Sequence, residues 1–229
     1  MGSEIVLATY NGAKYIREQI ESIQRQTVQE WTLIVRDDGS TDQTLDIIRS
    51  MMATDKRIRL LPSKVNKGVK QNFSLLLEAT RAAWVFLADQ DDIWHPQKIE
   101  IMLKFAKDNK NPVLIHHDLE VVDEKGARIH RSFWKRARLN PKATSFNRLL
   151  MQNNVTGAAM LINRPLIKKA LPIPEDAMMH DSWLALAASM FGTVIPVKER
   201  LVKYRQHASN QLGAKPLQFS NYVMEGTEK

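Results

Sequence analysis

Apolar residues fall in short unbroken runs along the first half of this chain, and apolar positions at helical spacing follow each run. Residues 4–9 form the first run, Asn11-Gly12 interrupts it, and Ile16, Ile20 and Ile23 then recur every three or four positions. A run without polar alternation predicts a strand buried on both faces, and the recurrence predicts an amphipathic helix. The pattern repeats. Residues 31–36 end in Asp37-Asp38-Gly39-Ser40, and Ser40 or Thr41 is the expected cap of a helix from about residue 42 with Leu45, Ile48 and Met52 on one face. Residues 58–61 predict a third strand closed by Pro62, and Asn66-Lys67-Gly68 precedes a helix carrying Phe73, Leu76 and Leu77. Residues 83–88 predict a fourth strand with Asp89-Gln90-Asp91-Asp92 at its end. Pro96 suits the first turn of a helix over about 97–107, and residues 113–117 predict a fifth strand.

Four strand–helix alternations with short connections predict an α/β fold built on a mostly parallel sheet flanked by helices. In such sheets ligands bind beyond the carboxyl ends of the strands. Those ends carry Thr9-Tyr10-Asn11, Asp37-Asp38 and residues 89–92. After residue 118 the pattern is less regular. A hairpin around 123–126, a basic loop, a strand near 157–162, a helix over 181–190 and short strands near 194 and 201–204 are expected. No repeat, low-complexity tract or linker composition divides the chain, so one domain over 1–229 is expected.

Composition changes this picture little. The 229 residues, 44% hydrophobic and 25% charged, suffice for one core of ordinary globular type. No apolar run approaches the roughly 18 residues of a membrane span, and the N-terminus lacks the pattern of a secretory signal. The absence of cysteine excludes disulfide and thiolate chemistry and agrees with a cytoplasmic location. A formal charge of +8 points to an anionic partner without choosing among nucleic acid, acidic lipid and phosphorylated substrate. The excess concentrates in residues 128–142, where Arg128, Arg131, Lys135, Arg136, Arg138 and Lys142 stand with Phe133 and Trp134 and no acid. That segment reads either as a solvated loop or as a contact for an anionic acceptor at a membrane surface.

Three clusters carry candidate chemistry. Acids crowded at a strand end repel one another unless a cation or hydrogen-bond donors offset the charge, so Asp89-Gln90-Asp91-Asp92 reads as a Mg²⁺ or Mn²⁺ site or as an acidic turn capping the next helix. Asp37-Asp38-Gly39-Ser40 reads as a turn, or as a carboxylate holding a base or ribose. His180-Asp181-Ser182-Trp183 opens an apolar helix, with Asp181 as a cap or a general base. No phosphate-loop, dinucleotide or nucleophile-elbow motif occurs, and no nucleic-acid reading motif accompanies the positive charge.

Taken together, these segments resemble the inverting family 2 glycosyltransferases of GT-A fold. The resemblance is carried by residues 7–12, Ile34-Val35-Arg36-Asp37-Asp38-Gly39-Ser40, Asn66-Lys67-Gly68, Asp89-Gln90-Asp91-Asp92-Ile93-Trp94, His180-Asp181-Ser182-Trp183 and Tyr204-Arg205-Gln206-His207. It is most similar to bacterial rhamnosyltransferase-like members. The resemblance implies a Rossmann-like nucleotide-sugar half over about 4–118, a smaller mixed acceptor-side half over about 119–213 and a tail over 214–229. It implies a nucleotide-sugar site of Thr9, Tyr10, Asn11, Arg36, Asp38, Lys67, Asp89 and Gln90, metal ligands Asp91 and His207, and Asp181 as catalytic base. Arg205 or another cation would assist the leaving diphosphate. The implied donor is dTDP-rhamnose or a UDP-hexose, the cofactor Mg²⁺ or Mn²⁺, and the acceptor a glycan of bacterial surface polysaccharide, lipid-linked at the inner face of the plasma membrane. Nucleic acid is not an expected partner. An inactive nucleotide-sugar-binding scaffold of the same fold is the alternative.

Overall fold

The structure, a computed structural model, describes residues 2–63, 65–107 and 110–207. The first strand, β1 (Ser3–Thr9), leads into α1 (Ile16–Gln24), then β2 (Trp31–Asp37), α2 (Thr44–Thr54), β3 (Ile58–Leu61), α3 (Gly68–Ala79) and β4 (Trp84–Ala88). Next come β5 (Ile93–Trp94), α4 (Lys98–Leu103), β6 (Val113–Val122), β7 (Arg128–His130), α5 (Phe133–Arg136) and α6 (Phe146–Met151). A 3-10 turn (Gly157–Ala159), β8 (Met160–Asn163), α7 (Arg164–Ala170), α8 (His180–Phe191) and β9 (Thr193–Arg205) complete the described chain.

Among the described residues these strands form one sheet, ordered β3-β2-β1-β4-β8-β6-β9-β5, with β7 paired to β6. β3, β2, β1 and β4 are mutually parallel, whereas β8 runs antiparallel to both β4 and β6. The chain leaves β1 toward β2 and β3 and returns to the other side of β1 as β4. The carboxyl ends of β1, β2 and β4 therefore open onto one crevice. Because β8 is reversed, its amino end, preceded by Gly157, faces the same rim.

Alternate residues of β1 enter opposite cores. Ile5 and Leu7 pack with Ile16, Ile20, Ile23 and Ile48 below one face, and Val6 and Ala8 pack with Phe73, Leu76 and Leu87 on the other. Burial of both faces accounts for the uninterrupted apolar runs. The total is one sheet with two cores.

Several local expectations shift. The helix after Pro96 stops at Leu103 rather than 107, and β6 runs on to Val122. The two strands expected near 194 and 201–204 are one long strand, β9, which follows β6 through two register breaks around Asp118. The first part of the basic segment is structured as β7 and α5, and residues 137–142 follow as turns. Ser132 Oγ donates to Asp118 Oδ2, the Trp134 amide donates to Asp118 Oδ1 at 3.1 Å, and the Trp134 ring meets His116 edge-on, which pins α5 to β6. Nor do Ser40 and Thr41 cap α2. Ser40 is held by Asp37 and Asn11, and Asp42 accepts the Thr44 amide at 3.0 Å instead. No helix among the described residues is long and apolar enough to cross a membrane. Residues 208–229, including the expected tail, lie outside the described residues.

Candidate active site

The loop after β1 turns at Asn11, whose backbone takes the left-handed φ of 48° that Asn tolerates better than most side chains. It is stitched to the loop after β2 on both sides. The Asn11 amide donates to Ser40 Oγ, Asn11 Oδ1 accepts the Thr41 amide, and the Gly12 amide donates to Thr44 Oγ1, each at 2.8 Å. Gln90, from the loop after β4, completes the frame. Its Oε1 accepts Thr9 Oγ1 at 2.7 Å and the Tyr10 amide at 2.9 Å, while its Nε2 donates to the Tyr10 carbonyl at 3.1 Å. A Cβ at Gly12 would stand 2.3 Å from Gln90 Oε1, so the glycine makes room for this clamp.

Asp38 is buried and heavily bonded. Oδ1 accepts Arg36 Nη1 at 3.0 Å and the Lys67 amide at 2.9 Å; Oδ2 accepts the Gly68 amide at 2.8 Å. Three donors leave acceptor capacity on Oδ2. Arg36 also donates to Asn72 Oδ1 at 2.9 Å and is itself buried.

At the end of β4, Asp91 Oδ2 lies 2.7 Å from His207 Nε2, and the His207 ring stacks on Tyr15 with centroids 4.8 Å apart. Asp92 accepts the Arg205 amide at 3.0 Å. Burial, then the nearby charges of Asp91 and Asp181, push the Asp89 carboxyl up to about 7, with Lys98 opposing. Lys98 is wholly buried, and burial lowers its ammonium well below the usual lysine range. Its Nζ donates to the Ala158 carbonyl at 2.7 Å and lies 3.6 Å from the centre of the Trp94 ring.

That lysine anchors the turn facing α8. The Gly157 amide donates to Asp181, and the Ser182 amide donates to Asp181 Oδ1 at 2.6 Å. Burial nevertheless raises the Asp181 carboxyl to about 6. Preceding it, His180 stacks on Phe73 with centroids 4.0 Å apart, and burial lowers its imidazole to about 3, so the ring is neutral.

These elements enclose a cavity of about 940 Å³. Of the residues singled out from sequence, Thr9, Tyr10, Asn11, Asp38, Asp89, Gln90, Asp91, Asp181 and His207 line it. Arg36 and Lys67 do not: the Arg36 guanidinium turns onto Asp38 and Asn72, and Lys67 contributes its amide. Arg205 is likewise turned away. Its guanidinium donates to the carbonyls of Asp91 and Glu124 and to Glu18, bracing the loop after β4 from within. Lys14, Tyr15, Glu124 and Gly157 line the cavity without having been singled out as site residues. Gly157, standing before an apolar run, carried a faint signal of close approach. A Cβ there would lie 2.6 Å from His180 Nε2.

Such a cavity has the size of a small-molecule site, and its polar groups converge from eight segments of chain. Among the described residues no cluster of three or more His, Cys, Asp or Glu forms a closed metal cage. Asp91 and His207 together supply one oxygen and one imidazole nitrogen. This suits a hard divalent ion whose remaining positions are filled by a ligand and water.

Residues 4–171 match the profile of Glycosyl transferase family 2. Among curated relatives, an uncharacterized glycosyltransferase of Haemophilus influenzae is 30% identical over 90% of this chain and 65% of its own length. Another from Nostoc sp. is 24% identical over 92% of this chain and 66% of its own. This chain thus spans about two thirds of either relative. Among solved structures, S. aureus TarS 1-349 in complex with UDP superposes with a TM-score of 0.68 at 18% identity, covering 90% of this chain and 61% of that one. The mannosyltransferase PcManGT from Pyrobaculum calidifontis, in complex with GDP-Man and Mn²⁺, gives 0.66 at 17% identity over 92% and 58%. Both share the curled, mostly parallel sheet.

Proposed function

Since the chain belongs to glycosyl transferase family 2, we propose that it transfers a sugar from a nucleotide diphosphate-sugar to a hydroxyl of a glycan acceptor, with inversion at the anomeric carbon. One observation carries this reading: Asp38, Asp91 and Asp181, from three distant stretches of chain, line one cavity. The bound ligands of the two structural relatives, UDP and GDP-Man with Mn²⁺, support the donor class.

In this reading Thr9, Tyr10, Asn11 and Asp38 form the nucleoside end, and Gln90, which also lines the cavity, holds that loop in place. Asp89 faces the ribose or donor sugar. Asp91 and His207 would hold Mg²⁺ or Mn²⁺, which supplies charge neutralisation at the departing diphosphate. Asp181 is the base. The acceptor oxygen forms its bond to the anomeric carbon as the bond to the diphosphate breaks, the electron pair leaves with the diphosphate, and the acceptor proton passes to Asp181. A carboxyl raised to about 6 suits that task, being ionised at neutral pH yet more basic than an ordinary aspartate. The single displacement requires no nucleophile from the protein.

The finer assignment is a dTDP-rhamnose or UDP-hexose donor and an acceptor in bacterial surface polysaccharide, reached from the cytoplasmic side of the membrane. The basic faces of β7 and α5 would meet a lipid-linked acceptor there. Thermal shift against UDP, dTDP, GDP and their sugars, with Mn²⁺ and with chelator, tests the donor class. Metal-dependent stabilisation by one nucleotide family is expected, and none with any of them rejects the reading. Slow donor hydrolysis by the same sample separates an enzyme from a silent scaffold.

A further inference from the structure

Five carboxylates line the cavity, Asp38, Asp89, Asp91, Glu124 and Asp181, and the donor class inferred above brings a diphosphate that is itself anionic. A single divalent ion offsets only part of that repulsion. The cations nearby are mostly committed elsewhere. Arg36 is buried on Asp38 and Asn72, Lys98 is buried beneath the Ala158 carbonyl, and Arg205 is engaged by Asp91, Glu124 and Glu18. Lys14 is the only lysine or arginine among the described residues on the cavity wall.

Its position is apt. The Lys14 ammonium lies 5.0 Å from the centre of the Tyr15 ring, which also stacks on the His207 ring and lies 4.8 Å from the Arg205 guanidinium, and His207 pairs with Asp91. Lys14 is held by Glu124 Oε2 at 2.9 Å, both residues lining the cavity, with side chains 65% and 52% exposed. An exposed pair of this kind contributes little and exchanges readily, whereas a diphosphate offers the ammonium more negative charge and more acceptor oxygens than one carboxylate does. Breaking the pair does not loosen the wall. The turn bearing Glu124 is held by its own backbone: Arg205 Nη1 donates to the Glu124 carbonyl at 2.7 Å, and the Asp123 amide donates to the Ala127 carbonyl at 2.8 Å.

We propose that Lys14 is a diphosphate-binding residue, exchanging Glu124 for the donor's phosphate oxygens and stabilising the charge that builds on the departing nucleoside diphosphate. Lys14 keeps its proton throughout. The electron pair of the broken bond remains on the diphosphate oxygen, and the acceptor proton goes to Asp181. This assignment rests on the donor reading, and the test separates the two.

Dissociation constants of UDP, dTDP and GDP, and of the matching nucleosides, are measured with Mn²⁺ present for the full chain and for Lys14→Met, Lys14→Arg and Glu124→Gln. Lys14→Met is expected to weaken whichever diphosphate binds by about tenfold and to leave its nucleoside unchanged. Lys14→Arg should restore most of the loss, and Glu124→Gln should tighten the diphosphate about twofold by removing the competitor. Equal weakening of nucleoside and diphosphate, or an unchanged diphosphate constant in Lys14→Met, overturns the assignment while the donor reading stands. An unaltered chain that binds none of the three diphosphates overturns the donor reading and this assignment with it.

Discussion

The two walls of the cavity are built on different principles. On the side formed by the loops after β1, β2 and β4, polar groups are tied to one another: Asp38 accepts three donors, Gln90 spans Thr9 and Tyr10, and Asn11 is bonded to the Ser40–Thr41 turn. On the side formed by the Gly157–Ala159 turn and α8, groups are held out of their ordinary state. Asp181 is raised to about 6 and His180 is a buried neutral ring with no hydrogen-bond partner on either nitrogen among the described residues. A tied network fixes a shape and suits recognition, because little reorganisation remains when a ligand meets the acceptor capacity left on Asp38. A desolvated carboxylate is unfavourable in the resting protein and suits proton transfer. Asp89, at the end of β4, is also raised, by burial and by the charges of Asp91 and Asp181. The contrast therefore lies between the hydrogen-bonded Asp38, Gln90 and Asn11 on one wall and Asp181 on the other, and substitutions at these should behave differently.

The largest expected effect is on the reactive wall. Asp181→Asn should lower kcat by about 10²- to 10⁴-fold while the dissociation constant of the nucleoside diphosphate stays the same, as measured by turnover and calorimetry. Loss of nucleotide binding instead would merge the two walls into one function. Next is the pH dependence. The base acts when ionised, so activity is present above its raised value and lost below it. The kcat/KM profile should fall about tenfold per unit below pH 6, the value to which burial raises Asp181 in the unliganded protein. A profile flat down to pH 5 removes Asp181 as the base. The smallest effect belongs to the recognition wall. Gln90→Ala should weaken nucleotide binding by about tenfold through loss of the clamp on Thr9 and Tyr10, without moving the acid limb of the kcat/KM profile. A shift of that limb would show the walls to be coupled.

Much of this arrangement was legible in the chain itself. Unbroken apolar runs gave the buried strands, helical periodicity gave α1 to α3, and alternation gave the parallel order. That order alone brings the ends of β1, β2 and β4 to one rim. The region after residue 118 was less legible, since β9 is bent through two register breaks and α5 is held by one buried carboxylate, Asp118. Neither feature leaves a period in the sequence.

What the sequence determined by itself is most of the segments before residue 118 and their order, because strand and helix periods are written in neighbouring residues, whereas α5, α6 and α7 were not expected. What only the tertiary structure decided is where each polar side chain points. Gln90 reaches Thr9 across 81 residues, His207 reaches Asp91 across 116, and Arg36 and Arg205 face inward to brace the walls while Lys14 faces the cavity. Hydrogen bonds and ion pairs act over a few ångströms, so a residue's partner is fixed by how the sheet closes and not by its neighbours along the chain.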